Sequence, residues 1–164
     1  MSDIPTVPPP EATPTYSGFL SWVRNVMGVP TQALADDSPT LTWALNVATL
    51  VVNKGLIVTG MYALACYNLG GDNLVNFAQD VGSPPFNYPG TKTPYWAYLR
   101  RKFNTLGFVS GVVSASSDES TSQTLATPEQ YTGYTLANLQ QTKTPWGRAY
   151  LGIAADWGPV WGLS

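Results

Sequence analysis

The chain has 164 residues, 44% of them hydrophobic and only 11% charged, with a formal net charge of −2. This length makes one domain the default and allows about 70% of the unfolded surface to be buried, while charge well below the usual ~25% leaves a surface that either other subunits cover or Ser and Thr keep polar. No histidine is present and Cys66 is the single cysteine, which removes the commonest general base and metal ligand and excludes an intrachain disulfide or a cysteine zinc site.

Residues 1–15, "MSDIPTVPPPEATPT", are acidic and proline-rich. They do not read as a signal peptide; they read as a polyproline-type arm, disordered unless something binds it. Ser17 is positioned to cap a short helix over 18–27 with Phe19, Leu20, Trp22, Val23 and Val26 apolar, and Gly28 and Pro30 end it. Ser38-Pro39 then places a hydroxyl at an N-cap and proline at the first helical position, with Asp36 and Asp37 just ahead of the positive helix end. Leu41, Leu45, Ala48 and Val52 share one face of that helix. A second apolar helix is expected over about 56–69, carrying Ile57, Met61, Leu64, Ala65 and Leu69. Gly70-Gly71 is read as an interruption, with Asp72 capping a further turn through Phe77. Cys66 reads as a small buried hydrophobe.

Residues 81–93 form a proline-rich loop, after which Thr93-Pro94 starts a helix closed by Gly107. The following stretch, "FVSGVVSASSDESTSQTLAT", is rich in β-branched residues and serine. It predicts a hairpin or extended pair with its turn at Ser116–Thr121. Thr127-Pro128 and Thr144-Pro145 are two more helix starts.

Between Ser38 and Gly71 only Lys54 is charged. A membrane-inserted helical hairpin, such as a small phage lysis or channel component, therefore stands as the alternative to a buried one. A span needs about 20 apolar residues, and Asn46, Asn53, Gly60 and Asn68 interrupt these runs, so the buried hairpin is preferred. Catalytic signals are weak. Asp118 and Glu119 adjoin serines with no histidine or nearby lysine to complete a nucleophile–base pair, and "NLGGDN" lacks a phosphate-loop lysine. Arg100, Arg101 and Lys102 are the one basic cluster. It reads as a solvated face, as salt pairing within an oligomer, or as a modest contact with DNA in a channel; a nucleic-acid-binding domain proper would be basic overall.

Two apolar helices, a third helix ending at a glycine, a Ser/Val-rich extended segment, and then "YTLANLQQTKTPWGRAYLGIA" make an order that resembles the head–tail connector, or adaptor, proteins of tailed bacteriophages. The matching terminal element is Thr144, Pro145, Trp146, Gly147, Arg148, Tyr150 and Leu151, and the resemblance covers residues 38–154. It implies a structural virion protein and not an enzyme, with no cofactor. It implies a homo-oligomeric ring, a dodecamer in the virion neck, made in the host cytoplasm. The ring would bind the portal protein, extend the DNA channel and meet a tail or nozzle component below.

The expected architecture is mainly α: a small helical bundle with a β-hairpin or extended arm and an extended C-terminal tail. It divides into the arm 1–15, a connector domain 16–155 that includes the extended segment 108–127, and an anchoring tail 156–164. In the tail, Trp157, Pro159, Val160, Trp161 and Leu163 are the expected portal-binding residues, because aromatic side chains dominate interface hot spots; the other reading folds this tail back onto its own domain. Ser116, Ser117, Asp118, Glu119, Ser120, Thr121 and Arg148 are the expected subunit or tail interface. Arg148 falls in the first turn of the last helix, where the dipole disfavours a cation, so a carboxylate or carbonyl partner is expected.

Overall fold

The computed structural model describes residues 12–107, 116–118, 121–123 and 136–157. The described residues are mainly helical. The first helix, α1 (Tyr16–Asn25), is capped by Thr15, not Ser17: Thr15 has extended backbone, and its Oγ1 accepts from the Gly18 N–H at 3.0 Å. Ser17 is thereby drawn into the first turn. In α2 (Pro39–Val51) the Ser38 hydroxyl accepts from Thr40 N–H and Pro39 opens the helix, as its sequence predicts. Leu41, Leu45, Ala48 and Val52 are all buried. Asp36 does not simply complement the α2 dipole. It pairs with Arg24 at 2.6 Å, and Arg24 also donates to the carbonyls of Val29 and Leu34. One guanidinium at the C-terminal end of α1 thus closes the loop that leads to α2.

The largest departure from the sequence reading is α3 (Thr59–Phe77), a single 19-residue helix that runs through Gly70-Gly71 without a break. A Cβ on Gly70 would stand 2.9 Å from the Phe19 ring, and one on Gly71 would stand 2.7 Å from the Trp22 ring. A glycine in a helix interior costs about 1 kcal/mol against alanine; here the missing side chains let α1 lie directly on α3. The helix is buried on nearly every side, and the polar side chains it takes inside, Asn68 and Asp72, are hydrogen-bonded there.

A loop leads to α4 (Tyr95–Lys102), whose N-terminus is satisfied from a distance. The Asp80 carboxylate accepts from Trp96 N–H at 2.8 Å and Ala97 N–H at 3.0 Å, a task the sequence reading gave to Thr93. The helix ends at Lys102, with Phe103 as its C-cap, ahead of Gly107. Trp96 is fully enclosed, with its indole N–H on the Ala33 carbonyl at 3.1 Å. Two three-residue strands, β1 (Ser116–Asp118) and β2 (Thr121–Gln123), pair antiparallel with Ser117 opposite Ser122. Then come α5 (Leu136–Gln141) and α6 (Pro145–Trp157). Helix α6 continues through Asp156 and Trp157, so it carries past the boundary expected at residue 155. Most of the extended segment 108–127, the Thr127-Pro128 start, residues 1–11 of the arm and residues 158–164 of the tail lie outside the described residues.

Two apolar clusters share α3. The first joins Phe19 and Val23 of α1, Leu41 and Leu45 of α2, Leu74 and Val75 of α3, and Trp96 and Leu99 of α4. The second joins Ala48 and Val52 at the far end of α2, Tyr62, Ala65, Cys66 and Leu69 of α3, and Tyr150, Leu151 and Ile153 of α6. Cys66 is fully buried there, and burial raises its thiol pKa to about 11, consistent with a packing role. Among the described residues no helix is long and apolar enough to cross a membrane.

Candidate assembly surface

On α2 the core-facing positions are Leu41, Ala44, Leu45 and Ala48, which turns Trp43 outward. Leu50, seven residues on, lies on the same outward stripe because seven residues close almost two helical turns. Trp43 is 42% exposed, Leu50 85% and Phe77 59%. The Trp43 and Phe77 rings meet edge to face at 5.5 Å, tying the N-terminal half of α2 to the last residue of α3. Together with Pro39 and Thr40 they line a shallow depression. A preassembled aromatic pair with rigid helical backing already holds its ring geometry, so covering it loses little side-chain entropy. Sequence reasoning passed over Trp43 and Phe77. The available signal was a tryptophan falling off the apolar face of an amphipathic helix.

A second feature is internal and positions α6. Asp72, in the middle of α3, is 3% exposed, and its Oδ1 accepts from the Thr144 hydroxyl at 2.5 Å. The same hydroxyl oxygen accepts from the Gly147 N–H at 2.9 Å, which holds the first turn of α6. Asn76 donates to the Asp72 backbone carbonyl and to Oδ2. Gly147 is required by proximity: a Cβ there would stand 2.0 Å from the Gln141 carbonyl oxygen and 2.9 Å from Asp72 Oδ1. Aspartate is expected in the sequence as a cap; the structure makes it the acceptor of a long-range latch.

Burial raises the Asp72 pKa to about 6, and the Thr144 hydrogen bond opposes that rise without cancelling it. The folded state therefore favours the protonated acid more than the unfolded chain does. As pH falls from about 6 towards 4 the folded protein takes up a proton that the unfolded chain does not, and stability rises. The full difference corresponds to about 3 kcal/mol. Asp72→Asn keeps an oxygen for Thr144 and removes the titration. Urea melts at pH 7 and pH 5 are expected to show wild type gaining stability on acidification relative to Asp72→Asn. Parallel pH profiles for the two proteins would contradict this.

The seven residues of the Thr-Pro-Trp-Gly-Arg-x-Tyr-Leu element each have a place in this packing. Thr144 is the latch, Pro145 opens α6, Trp146 packs edge to face on Phe103 at 5.6 Å, and Tyr150 and Leu151 are buried. Arg148 is exposed and donates to the carbonyls of Thr142 at 2.9 Å and Lys143 at 3.3 Å, so carbonyls of its own chain answer the unfavourable dipole.

The basic cluster is divided. Arg100 is not available to a channel: its Nη1 donates to the Ala78 carbonyl at 2.7 Å and its Nη2 pairs with Asp80 at 3.5 Å, both side chains being largely covered. Arg101 and Lys102 are exposed. Ser116, Ser117, Asp118 and Thr121 lie on β1 and β2, while Glu119 and Ser120 are outside the described residues. Trp157 ends α6; Pro159, Val160, Trp161 and Leu163 are outside the described residues. Among the described residues no three His, Cys, Asp or Glu side chains gather as a metal ion would require. No protein family, curated protein or solved structure matches the chain.

Proposed function

We propose that this chain is a structural subunit of the neck of a tailed bacteriophage, assembling as a ring, a dodecamer, between the portal protein and the tail or nozzle. The observation that supports it most is the outward aromatic pair Trp43–Phe77, continued by Leu50 on the stripe along α2, in a chain with so few charges. Apolar surface on rigid helices is what a subunit needs for a permanent neighbour. The resemblance of residues 38–154 to connector proteins supplies the identity of the particle.

On this reading the extended arm or hairpin within 108–127 meets an adjacent subunit or the tail component, with Ser116–Thr121 at its tip. The segment after α6 enters the portal with Pro159, Val160, Trp161 and Leu163 as its anchors, beginning at Trp157. Arg101 and Lys102 are the basic side chains of the cluster left to face packaged DNA, and no cofactor takes part. Removing residues 158–164 tests the anchor. The shortened chain is expected to melt within a few degrees of wild type and to fail to attach to DNA-filled heads. A shortened chain that melts much earlier, yet still joins heads through its folded fraction, would contradict it and favour a tail folded onto its own domain.

A further inference from the structure

A groove of about 620 Å³ runs between the end of α1, the 86–95 loop and the start of α6. Its walls include Gly28, Pro30, Tyr88, Tyr95, Lys102 and Trp146. The rings are fixed before any ligand arrives. Tyr88 stacks on Tyr95 at 5.5 Å and on Tyr98 at 3.9 Å, and Trp146 is set against Phe103. The Tyr95 hydroxyl reaches the Gly28 carbonyl at 3.5 Å, which joins the two sides. Aromatic walls with one exposed cation at the rim are the surface chemistry that proline-rich segments recognise: proline rings pack on aromatic faces, and a polyproline II helix has little conformational entropy left to lose.

The chain carries such a segment. Residues 5–11 read Pro-Thr-Val-Pro-Pro-Pro-Glu. Pro5 and Pro8 are three residues apart, one turn of a polyproline II helix, so they share a face. Glu11 follows and complements Lys102. We infer that the groove binds the Pro5–Glu11 segment of a second copy of this chain.

The second copy is favoured over the same chain by the length of the connection. Thr15 is held at Tyr67, its N–H donating to the Tyr67 hydroxyl at 3.0 Å. The groove lies at the opposite end of α1, beyond Asn25. Ten helical residues separate the two ends by about 15 Å. The five residue steps from Pro10 to Thr15 span at most about 18 Å when fully extended, and the bends at Ala12 and Thr13 shorten that reach. Too little is left for the reversal that would lay the three consecutive prolines in their own groove. A neighbouring copy has no such restriction. This contact is independent of the phage reading, since an oligomer of any function would use it.

The test places a photoreactive p-benzoylphenylalanine at Val7 of the full-length chain. Unlabelled and heavy-nitrogen-labelled chains are mixed, irradiated and digested. The expected result is crosslinks from residue 7 to the peptides containing Tyr88 or Trp146, with about half joining a light chain to a heavy one, as random mixing of two copies requires. Lys102→Glu is expected to lower that crosslink several-fold without changing the melting temperature, because Lys102 is exposed. Crosslinks confined to single-isotope pairs would overturn the exchange between copies. Crosslinks to other surfaces, or none, would overturn the groove. An unchanged yield in Lys102→Glu would overturn its pairing with Glu11.

Discussion

Gly147→Ala is expected to destabilise the protein by about 3 kcal/mol, the upper range for forcing one extra carbon into a packed interior. The Cβ would stand 2.0 Å from the Gln141 carbonyl oxygen and 2.8 Å from its carbon. Both are backbone atoms at the end of α5 and cannot rotate away. The first turn of α6 must move instead. That breaks the Gly147 N–H bond to Thr144 and pulls Thr144 off Asp72. A buried acceptor left without its donor adds its own desolvation cost. Gly152→Ala is the matched control. It lies in the same helix, exposed, with nothing within 4 Å of the added carbon, and is expected to stabilise by up to about 1 kcal/mol through helix propensity. Urea melts of both variants decide the matter; equal stability of Gly147→Ala and wild type would refute the latch.

The second large effect is on assembly. If the proposed ring forms, Trp43→Glu combined with Phe77→Glu is expected to leave the fold in place and abolish it. Both rings are substantially exposed and neither belongs to the two buried clusters, so the change in monomer stability is expected within about 1 kcal/mol. An aromatic hot spot contributes about 2 kcal/mol or more to an interface, or roughly thirtyfold in affinity. In a closed ring every subunit loses it, and the losses compound through avidity. Circular dichroism melting with sedimentation separates the two effects. A double variant that assembles as wild type would remove this surface from the interface.

What the sequence showed and what it hid follow from the range of the interactions. Ser38-Pro39 was legible because cap and proline act within one helical turn. The apolar set Leu41, Leu45, Ala48 and Val52 was legible from its period. Gly70-Gly71 was misread because local propensity sees only the backbone cost; the Phe19 and Trp22 rings that require those glycines are some fifty residues away in the chain. Asp72 was misassigned, and Asp80 passed over, for the same reason. Their partners are Thr144, 72 residues distant, and the α4 N-terminus, 16 residues distant. Arg100 carried a visible charge, but only the fold shows that Asp80 and the end of α3 already hold it. The Trp43–Phe77 pair was hidden because it joins two helices whose relative rotation no periodicity encodes. The terminal element from Thr144 to Leu151 was read as a resemblance; apart from the exposed Arg148, its matching residues are parts of one latch and one packing seam.

Native mass spectrometry of the purified full-length chain, alone and mixed with a candidate tailed-phage portal protein, tests the proposed neck role most directly. A closed ring, formed alone or on the portal and bound to it with one fixed stoichiometry, is the result expected. A monomer at all concentrations that leaves the portal unbound would contradict it.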